Sequence, residues 1–486
     1  MATPTDQLAV PGLFAASEVT PEGGIYTGYG EVAFQFGDPL VPYVQPERSL
    51  PEGGRYPIIR SSLDRGGISY VVTLLATPVD GVAVDVVGVT MRNLTPTVRR
   101  AGWAVGVRKT GEGRLTFRGS PFFRYLAPAA TSDGLYAQPG EVWRPGRRWD
   151  LVGDAIVSDE VGQTTAFAVL PAARRGRTVT LTSACARRTE ICALVRYTRV
   201  LRPGATARLV FKVPAVPLAS PGAALGDAAR LGYPQAHAAV RTAFDAALGR
   251  ATRLQLPEPA VDDAYHAGLA QILTSRYRLP DGRWVQTVND LQYHAFWLRD
   301  TAVMTNALDL AGLAGPAAED LAYLARWQRP DGLFISRPGQ YDGMGEALWA
   351  LGRHAELTGD AGFARAQLSL VDRAATWLES QFAREGLMPS GNPGDNEFVA
   401  GRLAGDNFWA VAGIDAAVRL ARVAHRPDLV ARWEPIALTV RADVTRATRA
   451  AAARTGGTVP TALAPPGERT WGNQWVASPR GPLDPA

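Results

Sequence analysis

One pattern recurs three times in the second half of the sequence and narrows what the chain can fold into. A charged-Gly turn is followed by a loop, then by an amphipathic helix with polar residues at its start. The turns are Pro280-Asp281-Gly282, Pro330-Asp331-Gly332 and Arg384-Glu385-Gly386. The helix starts are Phe296-Trp297-Leu298-Arg299-Asp300, Tyr341-Asp342-Gly343-Met344-Gly345-Glu346 and Gly405-Asp406-Asn407-Phe408-Trp409. Recurrence at roughly fifty residues marks a repeat built from helical hairpins. Hairpins stacked about an axis would bring the three starts to one end, gathering carboxylates, an arginine and aromatic rings around one cavity.

Hydrophobic periodicity places helices near 261–277, 297–312, 316–328, 343–358, 361–384, 405–424 and 427–453, after a connecting helix at 236–253. Met344, Leu348, Leu351 and Ala355 form the stripe of one of them. Thr358-Gly359-Asp360 should end that helix and cap the next. Leu313-Ala314-Gly315-Pro316 reads as the same kind of stop and restart. Tight turns make each pair an antiparallel hairpin, so the long loops share the opposite end. Long loops inside a compact domain are functional or disordered. These carry Trp, Tyr and acidic residues, which favours function.

Residues 1–215 read as all-β. Segments at 67–75, 82–91, 163–170, 178–184 and 206–213 are rich in β-branched residues and punctuated by Gly, Pro, Asn and Asp, a pattern for a sandwich or barrel. Residues 215–233 look like a linker. The expected organisation is multidomain, β then α: a β-sandwich over 1–215, a linker and connecting helix over 216–256, and an α/α toroid of hairpins over 257–486, incomplete at its C-terminus. Thr455-Gly456-Gly457-Thr458-Val459-Pro460 resembles a fourth turn and Trp471-Gly472-Asn473-Gln474-Trp475 a fourth loop, yet no fourth inner helix follows before Ala486. The expectation is a fragment or half of a split protein; the alternative is an open helical array.

Composition excludes some classes. The chain has 486 residues, enough for two to four domains. No apolar run of about eighteen residues spans a membrane, and Met1 to Val10 lacks the form of a secretory signal, so a cytoplasmic location is expected. The net charge of +5 rests almost entirely on arginine, Lys109 and Lys212 being the only lysines. The Arg pairs fall in turns rather than along one face, so no nucleic-acid partner is expected. Five His and two Cys give no zinc-ligand spacing, so neither metal nor cofactor is expected. Cys185 and Cys192 flank a stretch that reads as a hairpin turn, and two unrelated buried thiols are favoured over a disulfide.

Cleavage of a glycosidic bond ordinarily uses two carboxyl groups, one protonated to serve the leaving oxygen, the other activating water or attacking the sugar. Arg and Asp fix hydroxyls by charge-assisted hydrogen bonds. Arg299 and Asp300, behind Trp297, suit a cavity floor, or else a salt-bridged helix start. Asp342 and Glu346, beside Tyr341, share a helix face at i, i+4, or else serve as N-cap and surface acid. Asp395 and Glu397 lie in the Gly/Pro-rich loop 389–397, where no propensity explains them; Glu397 is the candidate general acid and Asp395 the second choice. Asp406 caps the next helix and Trp409 offers a sugar platform or a core side chain. Trp327, Trp349 and Trp377, placed on outer helices, read as packing.

Phe296-Trp297-Leu298-Arg299-Asp300-Thr301-Ala302 resembles the aromatic-Trp-x-Arg-Asp motif of the six-hairpin (α/α)6-barrel glycosidase superfamily, which includes the glucoamylase-like hydrolases. Tyr341 to Trp349 with Leu357-Thr358-Gly359-Asp360 resembles its next inner helix and turn, and Gly405 to Trp409 a third. The β-rich half resembles the β-sandwich that precedes the barrel in bacterial members. The resemblance implies that Arg299 and Asp300 bind sugar in the innermost subsite and that Glu397 matches the general acid. It also places the general base beyond the end of this sequence. The leading expectation is therefore a metal-free, inverting glycoside hydrolase acting on a sugar chain end, with a carbohydrate as partner. A polysaccharide lyase, with Tyr293, His294 or Tyr341 as base, a sugar phosphorylase and a non-catalytic carbohydrate-binding protein remain the alternatives.

Overall fold

The computed structural model describes residues 6–13, 17–19, 23–27, 31–42, 47–49, 55–108, 148–152, 155–159, 166–169, 177–181, 191–215, 221–279, 281–288, 296–336, 339–391 and 401–463. They fall into two compact units, one holding the described residues up to Leu279, the other those from Asp281 onward.

The first unit is sheet-rich. One sheet orders Asp6–Leu8, Ser17–Val19, Ile25–Tyr26, Glu31–Phe36, Arg99–Arg108, Ile191–Leu201 and Arg177–Leu181, with Val41–Pro42 added beside Glu31–Phe36. A second orders Thr206–Pro214, Val82–Asn93, Ile68–Val79, Ile59–Arg65 and Glu47–Ser49. A smaller sheet joins Arg148–Val152, Ala155–Asp159 and Ala166–Val169, and every pairing within the three is antiparallel among the described residues. Alternation does what it should: Ile68, Tyr70, Val72 and Leu74 turn inward on one strand while the residues between them are half-buried. Asp80 and Gly81, both at positive φ, form the two-residue turn that returns this strand to the next. The two larger sheets share one core. Phe36 of the first stacks on Tyr70 of the second at 5.1 Å, and Trp103 of the first meets Phe211 of the second at 6.3 Å.

Asp85 breaks the apolar rule in that core. It pairs with Ala76 and Val213 across its sheet and is fully buried, and neither of its carboxylate oxygens has a hydrogen-bond partner among the described residues. Burial pushes its carboxyl up to about 8, against a smaller opposing pull from Ser17.

Two of the expectations need correction here. Cys192 is disulfide-bonded, not a free thiol. The one other cysteine, Cys185, lies outside the described residues. Residues 215–233, read as linker, contain helix α1 (Pro221–Arg230). Helix α2 (Tyr233–Leu248) then buries Ala236, Val240, Phe244 and Leu248, and helix α3 (Pro259–Thr274) follows.

The second unit is helical: α4 (Leu298–Leu310), α5 (Ala314–Leu321), α6 (Asp342–Thr358), α7 (Ala361–Glu385), α8 (Ala404–Val423) and α9 (Pro427–Arg454). The turn after α6 is as read: Gly359 has φ 65 and the Asp360 side chain accepts the Phe363 N–H at 2.9 Å. The turn after α4 places its left-handed residue at Gly312, while Gly315 and Pro316 lie inside α5. Among the described residues, no helix is long and apolar enough to cross a membrane.

Candidate functional site

Helix α6 lies between α4 and α8. Its contacts with α4 climb both helices together: Gly343 faces the Leu298 side chain, Arg299 reaches Asp342 and Glu346, and His354 reaches Asp309 at 2.8 Å. The contacts with α8 do the same. A methyl group on Gly345 would overlap the Trp409 backbone, and one on Gly352 would overlap that of Ala416. Contacts that rise in step mean parallel helices. The three starts therefore share one end, as the repeat required, and glycine is what lets the α6 and α8 backbones come so close.

At that end the structure ties the three starts and their loops together. The Leu298 N–H donates to the Ser336 hydroxyl at 3.1 Å, fixing the second loop to the start of α4. Asn407, fully buried at the start of α8, accepts the Met388 N–H at 2.9 Å and donates to the Leu403 carbonyl at 2.7 Å. Arg402 pairs with Glu385 at 2.5 Å. Gly391 and Gly401 bridge each other, the 391 N–H donating to the 401 carbonyl at 2.8 Å. A methyl on Gly391 would press to 3.0 Å from the Gly339 carbonyl oxygen, so the third loop departs beside the second. Leu403 bridges Ala462, bringing the segment after the fourth turn to the same place.

Arg299 is the hub of the charges. Its Nη2 donates to Asp342 Oδ2 and its Nε to Glu346 Oε1 at 3.2 Å. The guanidinium side chain is 40% exposed, while Asp342 is 4% and Glu346 1% exposed. Burial first, then the Asp342 charge, pushes the Glu346 carboxyl well above the usual carboxylate range, against a pull from Arg299. Such an assembly presents one cationic edge outward and keeps its acids inside, which suits a hydroxyl-rich ligand.

The other expected residues are placed as follows. Trp297 is buried at the N-cap of α4, and Asp300 is half-buried in its first turn. Tyr341 is half-buried at the N-cap of α6. Asp406 is buried in the first turn of α8 and does not cap it as expected, the N-cap being Leu403. Trp409 is half-buried and meets Trp349 edge-on at 5.6 Å. Trp349 thus sits on α6, one of the converging helices, and not on an outer one. Asp395, Glu397, Tyr293, His294 and the Trp471–Trp475 segment lie outside the described residues. Sequence reading missed Ser336 and the roles of Asn407, Gly391 and Gly401. A buried Asn one residue past a helix-start Asp was the available signal. The bridge had none. A cavity of about 490 Å³ at the turn between α8 and α9 lies at the opposite end, and its Arg422 and Arg426 are paired with Glu434 and Asp428.

A bacterial glucoamylase solved in complex with acarbose aligns over 90% of this chain and 66% of its own, with a TM-score of 0.60 at 10% identity. The likeness shows a glucoamylase-like fold, sheet-rich and then helical. A putative kojibiose phosphorylase from the human microbiome aligns over 89% of this chain and 67% of its own, with a TM-score of 0.52 at 8% identity. An uncharacterized glycosyl hydrolase of Methanocaldococcus jannaschii is 25% identical over 151 residues, 29% of this chain and 24% of the relative. The chain thus spans about two thirds of the matched glucoamylase, and its match to the curated relative covers about a quarter of that protein. No protein-family model matches the chain.

Proposed function

We propose that this chain carries the sugar-binding end of a glycoside hydrolase that cleaves an oligo- or polysaccharide by carboxylate acid/base catalysis with inversion. The observation that carries the reading is the convergence of three parallel helix starts, with Arg299 exposed at its edge and held by two buried acids. In this reading the exposed face of Arg299 holds a sugar hydroxyl, with Asp300 beside it. Tyr341 and Trp409 cover apolar sugar faces. Glu397 protonates the leaving oxygen, Asp395 being the second choice, from the loop whose flanks Gly391 and Gly401 bridge. The sheet-rich half is a β-sandwich and the helical half part of an α/α toroid. The kinship of fold with glucoamylase, and the acarbose bound in that enzyme, support a glycan as ligand.

The likeness to a kojibiose phosphorylase keeps one alternative open, phosphorolysis in place of hydrolysis. The test is release of reducing sugar from α-glucan, xylan and uronate polymers and from disaccharides, with and without inorganic phosphate. Hydrolysis without phosphate, abolished by Glu397→Gln, is the expected result. Product only with phosphate gives the phosphorylase, and an unsaturated product absorbing in the ultraviolet gives a lyase. Full hydrolysis by Glu397→Gln removes Glu397 from the role of acid.

A further inference from the structure

Glu346 differs from the other acids at this end. Asp300, Asp342 and Asp406 occupy first turns, where helix N-termini favour carboxylates. Glu346 sits a turn deeper, 1% exposed. Its Oε1 accepts from Arg299, and its Oε2 is buried without a hydrogen-bond donor among the described residues. Asp342, four residues earlier on the same helix face, already uses both oxygens: Oδ1 accepts the Gly343 N–H at 2.8 Å and Oδ2 accepts from Arg299. One guanidinium against two ionised carboxylates would leave a buried net charge of −1 and a bare oxygen, both costly away from water.

A proton on Glu346 Oε2 removes both costs. The set becomes neutral, and the new O–H donates to the Asp342 carboxylate beside it. Charged residues on the elements around α6 include Arg299 and Asp300 of α4, Glu319 and Asp320 of α5, Arg384 and Glu385 of α7 and Asp406 of α8. Of these, Arg299 pulls the Glu346 carboxyl down, while Asp342 on its own helix pushes it up.

We propose that Glu346 is a positioning residue that works as a neutral acid, holding Arg299 against Asp342, and that Glu346 itself touches no ligand. The ligand in question is the glycan of the preceding reading, on which this inference rests.

Two sets of measurements separate the inference from that reading. Carboxyl ¹³C spectra of glutamate-labelled wild type and Glu346→Gln identify the Glu346 signal by its loss. The signal should titrate well above ordinary glutamates; titration among them overturns the neutral acid. The Arg299 Nε–H, followed by ¹⁵N exchange, should be protected in wild type and Glu346→Gln and exchange fast in Glu346→Ala. Equal protection in all three overturns the positioning role. Acarbose binding by calorimetry from pH 5 to 9 then reads the consequence. Glu346→Gln should bind within about 2-fold of wild type at low pH and lack its alkaline fall. Glu346→Ala should bind about ten-fold or more weakly throughout, the cost of a lost charge-assisted hydrogen bond. A Gln variant as weak as the Ala variant also overturns the inference. A wild type that binds no acarbose counts against the glycan reading alone, and the spectra still decide Glu346.

Discussion

Asp85→Asn is a test of how this protein holds its sheets together. The wild-type carboxyl lies in the shared core of the two sheets and titrates near 8, whereas an unfolded aspartate titrates near 3.8. The folded state therefore binds the proton more tightly than the unfolded state does. The stability this confers is fully present below about pH 3.8 and is lost as pH rises toward 8. Each unit costs about 1.4 kcal/mol, so the loss reaches on the order of 4 kcal/mol by pH 7 and 6 kcal/mol above pH 8. Asparagine has the same shape and no charge to bury. Its effect contains a constant part, from the exchange of a carboxyl for an amide in the core, and a part that grows with pH. Urea unfolding of both proteins at pH 5, 6, 7 and 8 isolates the second part, because every other titrating group cancels in the difference. The variant should gain on the wild type by about 1.4 kcal/mol per unit from pH 5 to 7 and by less as pH nears 8. A difference that stays constant with pH would refute the argument, since it would mean that Asp85 is either ionised at low cost or paired with a donor.

Two further outcomes follow from the fold. Gly345→Ala places a methyl group on the Trp409 backbone, which no rotamer can relieve, so α6 and α8 must separate; thermal or urea unfolding should show a loss of about 3 kcal/mol or more, and a change below about 0.5 kcal/mol would mean the helices are not so closely packed. Thiol titration of the denatured, unreduced protein should find no reactive cysteine, because Cys192 is disulfide-bonded and one other cysteine exists to pair with it; two free thiols would return Cys185 and Cys192 to the reduced state.

What sequence reading recovers and what it loses have separate physical causes. Helix α6 was legible because its stripe, its Gly359 stop and its Asp360 cap are all local, and the structure places them within a residue of the expectation. Asp85 was not. It lies on a strand with both faces buried, Val87 and Val89 toward the sheet core and Gly88 against Tyr233 of α2. Such a strand has no polar side from which a misplaced carboxylate would stand out. The charged cluster falls between these cases. Arg299, Asp342 and Glu346 could all be singled out as candidates, yet 43 and 47 residues separate the partners. Spacing within one helix predicts that two acids share a face. It cannot say whether the cation across from them belongs to a ligand or to the protein.

The parallel packing of α4, α6 and α8 explains why that cluster stands where it does. Parallel helices in contact align their dipoles, so three positive ends meet at one side. Each would destabilise its neighbours were the charge not offset, and each first turn carries an aspartate: Asp300, Asp342 and Asp406. Those acids therefore have a structural reason to be present before any ligand is considered. Arg299 has none, because a cation in the first turn opposes the dipole it sits on. Its cost is met by Asp342 and by Glu346 behind it, and its side chain still remains 40% exposed. A residue that local electrostatics disfavour, and that two buried acids are spent to hold, is the strongest claim this end of the helices makes to a ligand.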